Sequence, residues 1–202
     1  NGIVCSSYPR VAEAGLNKGW EMMGHGYIQG PMHKLLNQQE AIEQTVDAIK
    51  RFSGKAPVGW ESPGLTENDA TIDCLSKAGI EYVADWVLDD QPVWINAKPK
   101  PVLSVPYTVE LNDIPMMLLQ SNRGEEMLLR GVEQFERLWS ESATIPRVMA
   151  LSIHPYITGA PHRIGYFEKL LDHIQKKEGV LIKTGEWISD WYRAQVPAPH
   201  YE

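Results

Sequence analysis

The residues able to carry chemistry in this chain fall where short apolar runs end. His25 lies in Gly24-His25-Gly26, with His33 in the same Gly/Pro-interrupted loop. Trp60-Glu61-Ser62 closes one run, Asp85-Trp86 another, and His154 follows Val148-Met149-Ala150-Leu151-Ser152-Ile153. An imidazole titrates near neutrality and can give a proton to a leaving amine, so His154 reads as a general acid. The plainer reading is a capping histidine bonded to a backbone carbonyl. Glycines on both sides of His25 let the backbone turn tightly and let a ligand come close. His25 and His33 are candidate ligands for a divalent metal such as zinc. No carboxylate adjoins them to complete a set, so the reading without a metal stays open.

Trp60 and Trp86 read as apolar walls for a ring-shaped ligand, or else as the lid of a core. Asp85 ends an apolar run, and a buried carboxylate needs a partner. With Glu61 these residues form the candidate substrate-binding set, while Asp89-Asp90 reads as solvated loop.

The elements that position them alternate between strand and helix patterns. Gly2–Ser7 reads as a strand, 11–18 as a helix and Trp20–Gly24 as a second strand. Gln39–Phe52 carries Ile42, Val46, Ile49 and Phe52 on one helical face, and Gly54 stops it. Val58–Glu61 is a short strand. Thr66 through Asp69 resembles a capping box for a helix ending at Ala78, and Tyr82–Trp86 is the next strand. Between 91 and 121 the spacing of Pro99, Pro101 and Pro106 predicts an irregular excursion rather than a central strand. A helix opening near Asn122–Glu125 shows Leu128, Val132, Phe135 and Trp139 on one face. Arg147–Pro155 reads as a strand covered on both faces. A helix bearing Ile164, Phe167, Leu171 and Ile174 comes next, then strand 180–182 and helix 186–194.

That alternation predicts one α/β domain over residues 1–202 with its site at the C-terminal ends of the strands, where the polar residues above would meet on one rim. No Gly-rich phosphate loop joins a strand to its helix, which favours a barrel over a dinucleotide-binding sheet.

A formal net charge of −7, without any Lys/Arg run, argues against a nucleic-acid partner. No run of eighteen apolar residues exists, so no membrane span is expected. Cys5 and Cys74 imply no disulfide framework. The expected location is the cytoplasm.

Three segments resemble the motifs of NodB-type polysaccharide deacetylases. Gly19-Trp20-Glu21-Met22-Met23-Gly24-His25-Gly26-Tyr27 is similar to the second motif, which leads into a metal-binding histidine. Gly54-Lys55-Ala56-Pro57-Val58-Gly59-Trp60-Glu61-Ser62-Pro63 resembles the third. Leu151-Ser152-Ile153-His154-Pro155 resembles the last, the strand with the catalytic histidine. Trp-Glu, Gly-His-Gly and Tyr82-Val83-Ala84-Asp85-Trp86 are closest to the branch of bacterial, metal-independent allantoinases.

The resemblance implies a distorted β/α barrel, lacking its first unit in this chain, that hydrolyses an amide or cyclic amide. His154 would protonate the leaving nitrogen. Three departures stand out. The first motif, an Asp-Asp segment supplying the base, is absent and would lie upstream of Asn1. The second metal ligand is replaced by Gln29, leaving His33 as a substitute. The basic residue of the third motif is missing near Ala56 and Val58.

The expected activity is therefore hydrolysis of a non-peptide C–N bond in a small-molecule or sugar amide. The alternative is an inactive relative that binds ligand or forms oligomers. Open barrel edges call for a homo-oligomer or a completing N-terminal segment.

Overall fold

Asn37 and Thr184 each accept from a free backbone N–H of the helix that follows them. Eleven regular elements follow in order in the computed structural model, which describes residues 1–199. They are α1 (Val4–Ser7), α2 (Pro9–Asn17), α3 (Gln38–Ser53), β1 (Gly59–Trp60), α4 (Thr71–Lys77), β2 (Tyr82–Val83), β3 (Val93–Ile95), β4 (Val102–Ser104), α5 (Glu125–Glu141), α6 (Ile164–Gln175) and α7 (Gly185–Gln195). Short 3-10 turns cover Met32–Lys34 and Pro63–Leu65, and Ile114–Leu119 is a π-helical turn. The chain divides into two compact units.

The first unit comprises residues 1–86, 92–105 and the C-terminal stretch from Lys183. Its sheet has the order β1-β2-β4-β3. β1, β2 and β4 run parallel, and β3 returns antiparallel on β4. Gly24 extends the order beyond β1 through a single parallel bridge to Trp60. Asn37 caps α3 by accepting from the Glu40 N–H at 3.2 Å, and Gly54 ends it at φ 79°, a left-handed position suited to glycine. Ile42 and Val46 of α3 pack with Met32, Trp60, Leu75, Val83 and Val102 in one apolar cluster. Tyr82, Leu103 and Val105 form another, to which α7 contributes Ile188 and Tyr192.

The second unit comprises residues 87–91 and 106–182. Helices α5 and α6 pack closely because Gly131 leaves room for Leu170, whose Cδ2 lies 2.4 Å from where a Cβ on Gly131 would stand. Leu111, Met116, Met127, Phe135, Ile157, Leu170 and Ile174 form its core. The segment around Ser152 is extended and half-buried, with one parallel bridge to Asn112.

The α/β class holds, but the sheet is open and has four strands among the described residues. Gly2–Ser7 is not a strand. The Gly2 and Ile3 N–H groups donate to Gly26 and Tyr27 at 2.9 Å each, and the chain then coils into α1. The excursion over 91–121 contributes a central strand, because Pro99 and Pro101 lie in the β3–β4 connection and Pro106 lies past the strand's end. All three residues of β4 are buried. α4 begins at Thr71, since the Thr66 hydroxyl donates to the Pro63 carbonyl at 2.7 Å and accepts from Met32 N–H at 2.9 Å. Arg147–Pro155 and 180–182 make no multi-residue ladder, and the former is not covered on both faces.

Candidate functional site

The first unit holds His25, His33, Trp60, Glu61, Asp85 and Trp86; the second holds His154. In the first unit, the bridge between Gly24 and β1 sets His25 beside Glu61. The Gly24 N–H donates to Gly59 at 2.9 Å and the Glu61 N–H donates back to Gly24 at 3.0 Å. His25 is half-buried, and its Nδ1 lies 2.7 Å from the Glu61 carbonyl oxygen. A carbonyl only accepts, so Nδ1 carries the proton of this hydrogen bond.

Asp85 follows β2 and is 3% exposed. Its carboxylate accepts from Ser62 twice, from the N–H at 2.5 Å and from the hydroxyl at 2.9 Å. Trp60 Nε1 donates to the same hydroxyl at 3.1 Å. Burial pushes the Asp85 carboxyl up to about 7, with Glu67 and Glu61 adding repulsion and the two Ser62 donors working the other way. Trp60 is fully buried in the core, so its indole holds Ser62 from beneath instead of presenting a wall to a ligand. Trp86 is half-buried against the same core.

His33 is on an exposed 3-10 turn with its Nδ1 3.1 Å from the Thr66 carbonyl. Among the described residues no group of three or more His, Cys, Asp or Glu side chains could hold a metal ion. The residues present therefore do not fit the metal that the sequence resemblance implies at His25 and His33.

The second unit contains a pairing that sequence reasoning missed. Asp113 is fully buried, yet its carboxylate meets three donors. Oδ1 accepts from His154 Nδ1 at 2.7 Å. Oδ2 accepts from the His154 backbone N–H at 2.7 Å and from the Thr158 hydroxyl at 2.6 Å. The parallel bridge at Asn112 supplies the register, with the Asp113 N–H donating to Ser152 at 3.1 Å. The His154 side chain remains 35% exposed. With Nδ1–H committed to a carboxylate, the Nε2 position is left for proton exchange.

One signal did point to Asp113. A charge between Leu111 and the apolar run Ile114-Pro115-Met116-Met117 is buried unless the run is exposed, and then needs partners.

Two curated relatives align with most of this chain. A "Putative polysaccharide deacetylase" of Schizosaccharomyces pombe is 29% identical over 177 residues, 79% of this chain and 55% of its own length. A "Peptidoglycan deacetylase" of Helicobacter pylori is 25% identical over 216 residues, 90% of this chain and 73% of its own. The chain is thus similar in sequence to proteins named as polysaccharide and peptidoglycan deacetylases. It spans little more than half of the length of the yeast deacetylase. The crystal structure of Puue allantoinase has the same fold, with a TM-score of 0.90 at 22% identity over 98% of this chain and 67% of that one. No family model matches the chain. No helix among the described residues is long and apolar enough to cross a membrane.

Proposed function

We propose that this chain forms part of a hydrolase that cleaves a non-peptide C–N bond in a small-molecule or sugar amide, with His154 as the general acid. The Asp113–His154 pair carries this reading. A buried carboxylate on Nδ1 fixes the ring orientation and stabilises the imidazolium, and the partly exposed Nε2–H can then protonate the departing nitrogen as the tetrahedral intermediate collapses. Positioned acid catalysis of this kind contributes roughly 10²- to 10⁴-fold. Relatives named as deacetylases support the bond class. In the first unit, the polar groups of Glu61, Asp85 and Trp86 are the proposed substrate-binding set.

The test is turnover by the full-length protein of chitin oligosaccharides, peptidoglycan fragments and cyclic ureides, read as acetate release or ring opening. His154→Ala should abolish whichever activity appears. Undiminished turnover by that variant would remove His154 from the role. Binding of these compounds without turnover by the parent protein would replace the enzyme with a ligand-binding relative.

A further inference from the structure

We infer that Thr158 is a positioning residue for His154, acting through the Asp113 carboxylate. The inference rests on the proposed role of His154. Thr158 is 2% exposed and its hydroxyl is 2.6 Å from Asp113 Oδ2. It is therefore placed to touch the carboxylate and not a substrate.

The loop that brings it there starts from the histidine itself. The Ile157 and Thr158 N–H groups both donate to the His154 carbonyl, at 2.9 and 3.0 Å. The turn is so tight that a Cβ on Gly159 would stand 2.3 Å from the Pro155 carbonyl oxygen, which leaves only glycine at that place. One short loop thus returns to the carboxylate that its first residue already engages.

The chemistry follows from how the two oxygens are occupied. A carboxylate held by a single side chain can rotate about its Cβ–Cγ bond and offer either oxygen to Nδ1. Here Oδ2 is taken by a backbone N–H and by Thr158, so Oδ1 is left facing the ring. The Thr158 hydroxyl also satisfies a buried lone pair that would otherwise face no donor. Without it the carboxylate loses one of the restraints that make it present a single oxygen to Nδ1, and the ring loses its fixed tautomer. Nearby, Tyr107 Oη and Ser152 Oγ lie 2.7 Å apart and Asn112 donates to Tyr107. Thr158 donates to Asp113 directly.

The experiment uses the full-length protein, with Thr158→Val to remove the hydroxyl at constant shape and Thr158→Ser to retain it. The ¹⁵N resonances of the His154 ring, recorded where the ring is neutral, report which nitrogen holds the proton. The expected result is a single Nδ1–H form in the parent and in Thr158→Ser, and a mixture of the two tautomers in Thr158→Val. Turnover should fall about tenfold in kcat with KM unchanged in Thr158→Val, and recover in Thr158→Ser. A Thr158→Val protein with parental ring resonances would overturn the inference, as would failure of Thr158→Ser to restore them. Should the valine variant fold poorly by circular dichroism, Thr158→Ala gives the same comparison without added bulk. The ring resonances do not depend on activity, so a wrong role for His154, exposed by an active His154→Ala, remains separable from a wrong role for Thr158.

Discussion

Asp113 and His154 are joined twice, through the backbone N–H of His154 on one carboxylate oxygen and the ring Nδ1–H on the other, each at 2.7 Å. The backbone bond fixes where the histidine begins and the ring bond fixes which way it faces. A fully buried carboxylate with three donors is satisfied without water, so the pair holds its geometry before any substrate arrives.

Asp113→Asn keeps the size of the side chain and removes its charge. An amide offers only one acceptor, so it cannot serve Nδ1–H, the backbone N–H and Thr158 together. In the full-length protein kcat should fall by about 100-fold or more with KM nearly constant, because the loss concerns the transition state. Parental kcat in a folded variant would show that the carboxylate is not part of the chemistry.

The helical framework was legible because its apolar stripes are long. α3 and α6 sit where Ile42, Val46, Ile49 and Ile174 place them. In α5 the buried face is turned by one position, onto Met127, Gly131, Phe135 and Leu138, because Gly131 admits Leu170. Short strands were less legible. Ile3-Val4-Cys5 has the composition of a strand, yet contacts made by Gly2 and Ile3 to distant carbonyls direct it into a helix. The prolines near β4 obscured a central strand although none stands inside it. His154 was found from its place after an apolar run. Its partner Asp113 is 41 residues away, a distance that local spacing does not bridge.

Asp85 should make stability depend on pH. Its carboxyl is raised from 3.8 to about 7, chiefly by burial, so between those values the folded protein keeps a proton that the unfolded chain releases. The folded state then binds more protons, and stability falls as pH rises through this window. The contribution is full below about pH 4 and lost above about 7. Urea melts at pH 4 and pH 8 should show the parent losing on the order of a few kcal/mol relative to Asp85→Asn. Parallel pH profiles for the two proteins would mean that Asp85 is ionised throughout.

Gly24 is required by the ring below it. A Cβ there would stand 2.3 Å from Trp60 Cε3, and that indole is fully buried. Gly24→Ala should cost roughly 1–3 kcal/mol by overpacking and displace the neighbouring His25. Gly30→Ala is the control, since nothing lies within 4 Å of its added methyl. It should stay within about 0.5 kcal/mol of the parent in a thermal melt. Equal effects at both positions would contradict the packing around Trp60.

Tyr82 links β2 to the start of α7 through one carboxylate. Its hydroxyl donates to Glu21 Oε1 at 2.5 Å, and the Glu186 N–H donates to Glu21 Oε2 at 2.9 Å. The ring is 1% exposed and leaves no room for a side chain at Gly59 or Gly185, whose Cβ atoms would stand 2.2 and 2.4 Å from it. Burial and the Glu21 charge raise the phenol above its usual range, so it stays a donor at every accessible pH. Tyr82→Phe keeps the packing but leaves one oxygen of Glu21 without this donor, which should cost roughly 1.5–3 kcal/mol for a bond to a charged group. Glu21→Gln tests the same bond from the other side. Its amide oxygen can still accept from one of the two donors, so it should be the milder change. A Tyr82→Phe protein as stable as the parent in chemical denaturation, or a Glu21→Gln protein less stable than it, would show that the carboxylate does not join the strand to the helix.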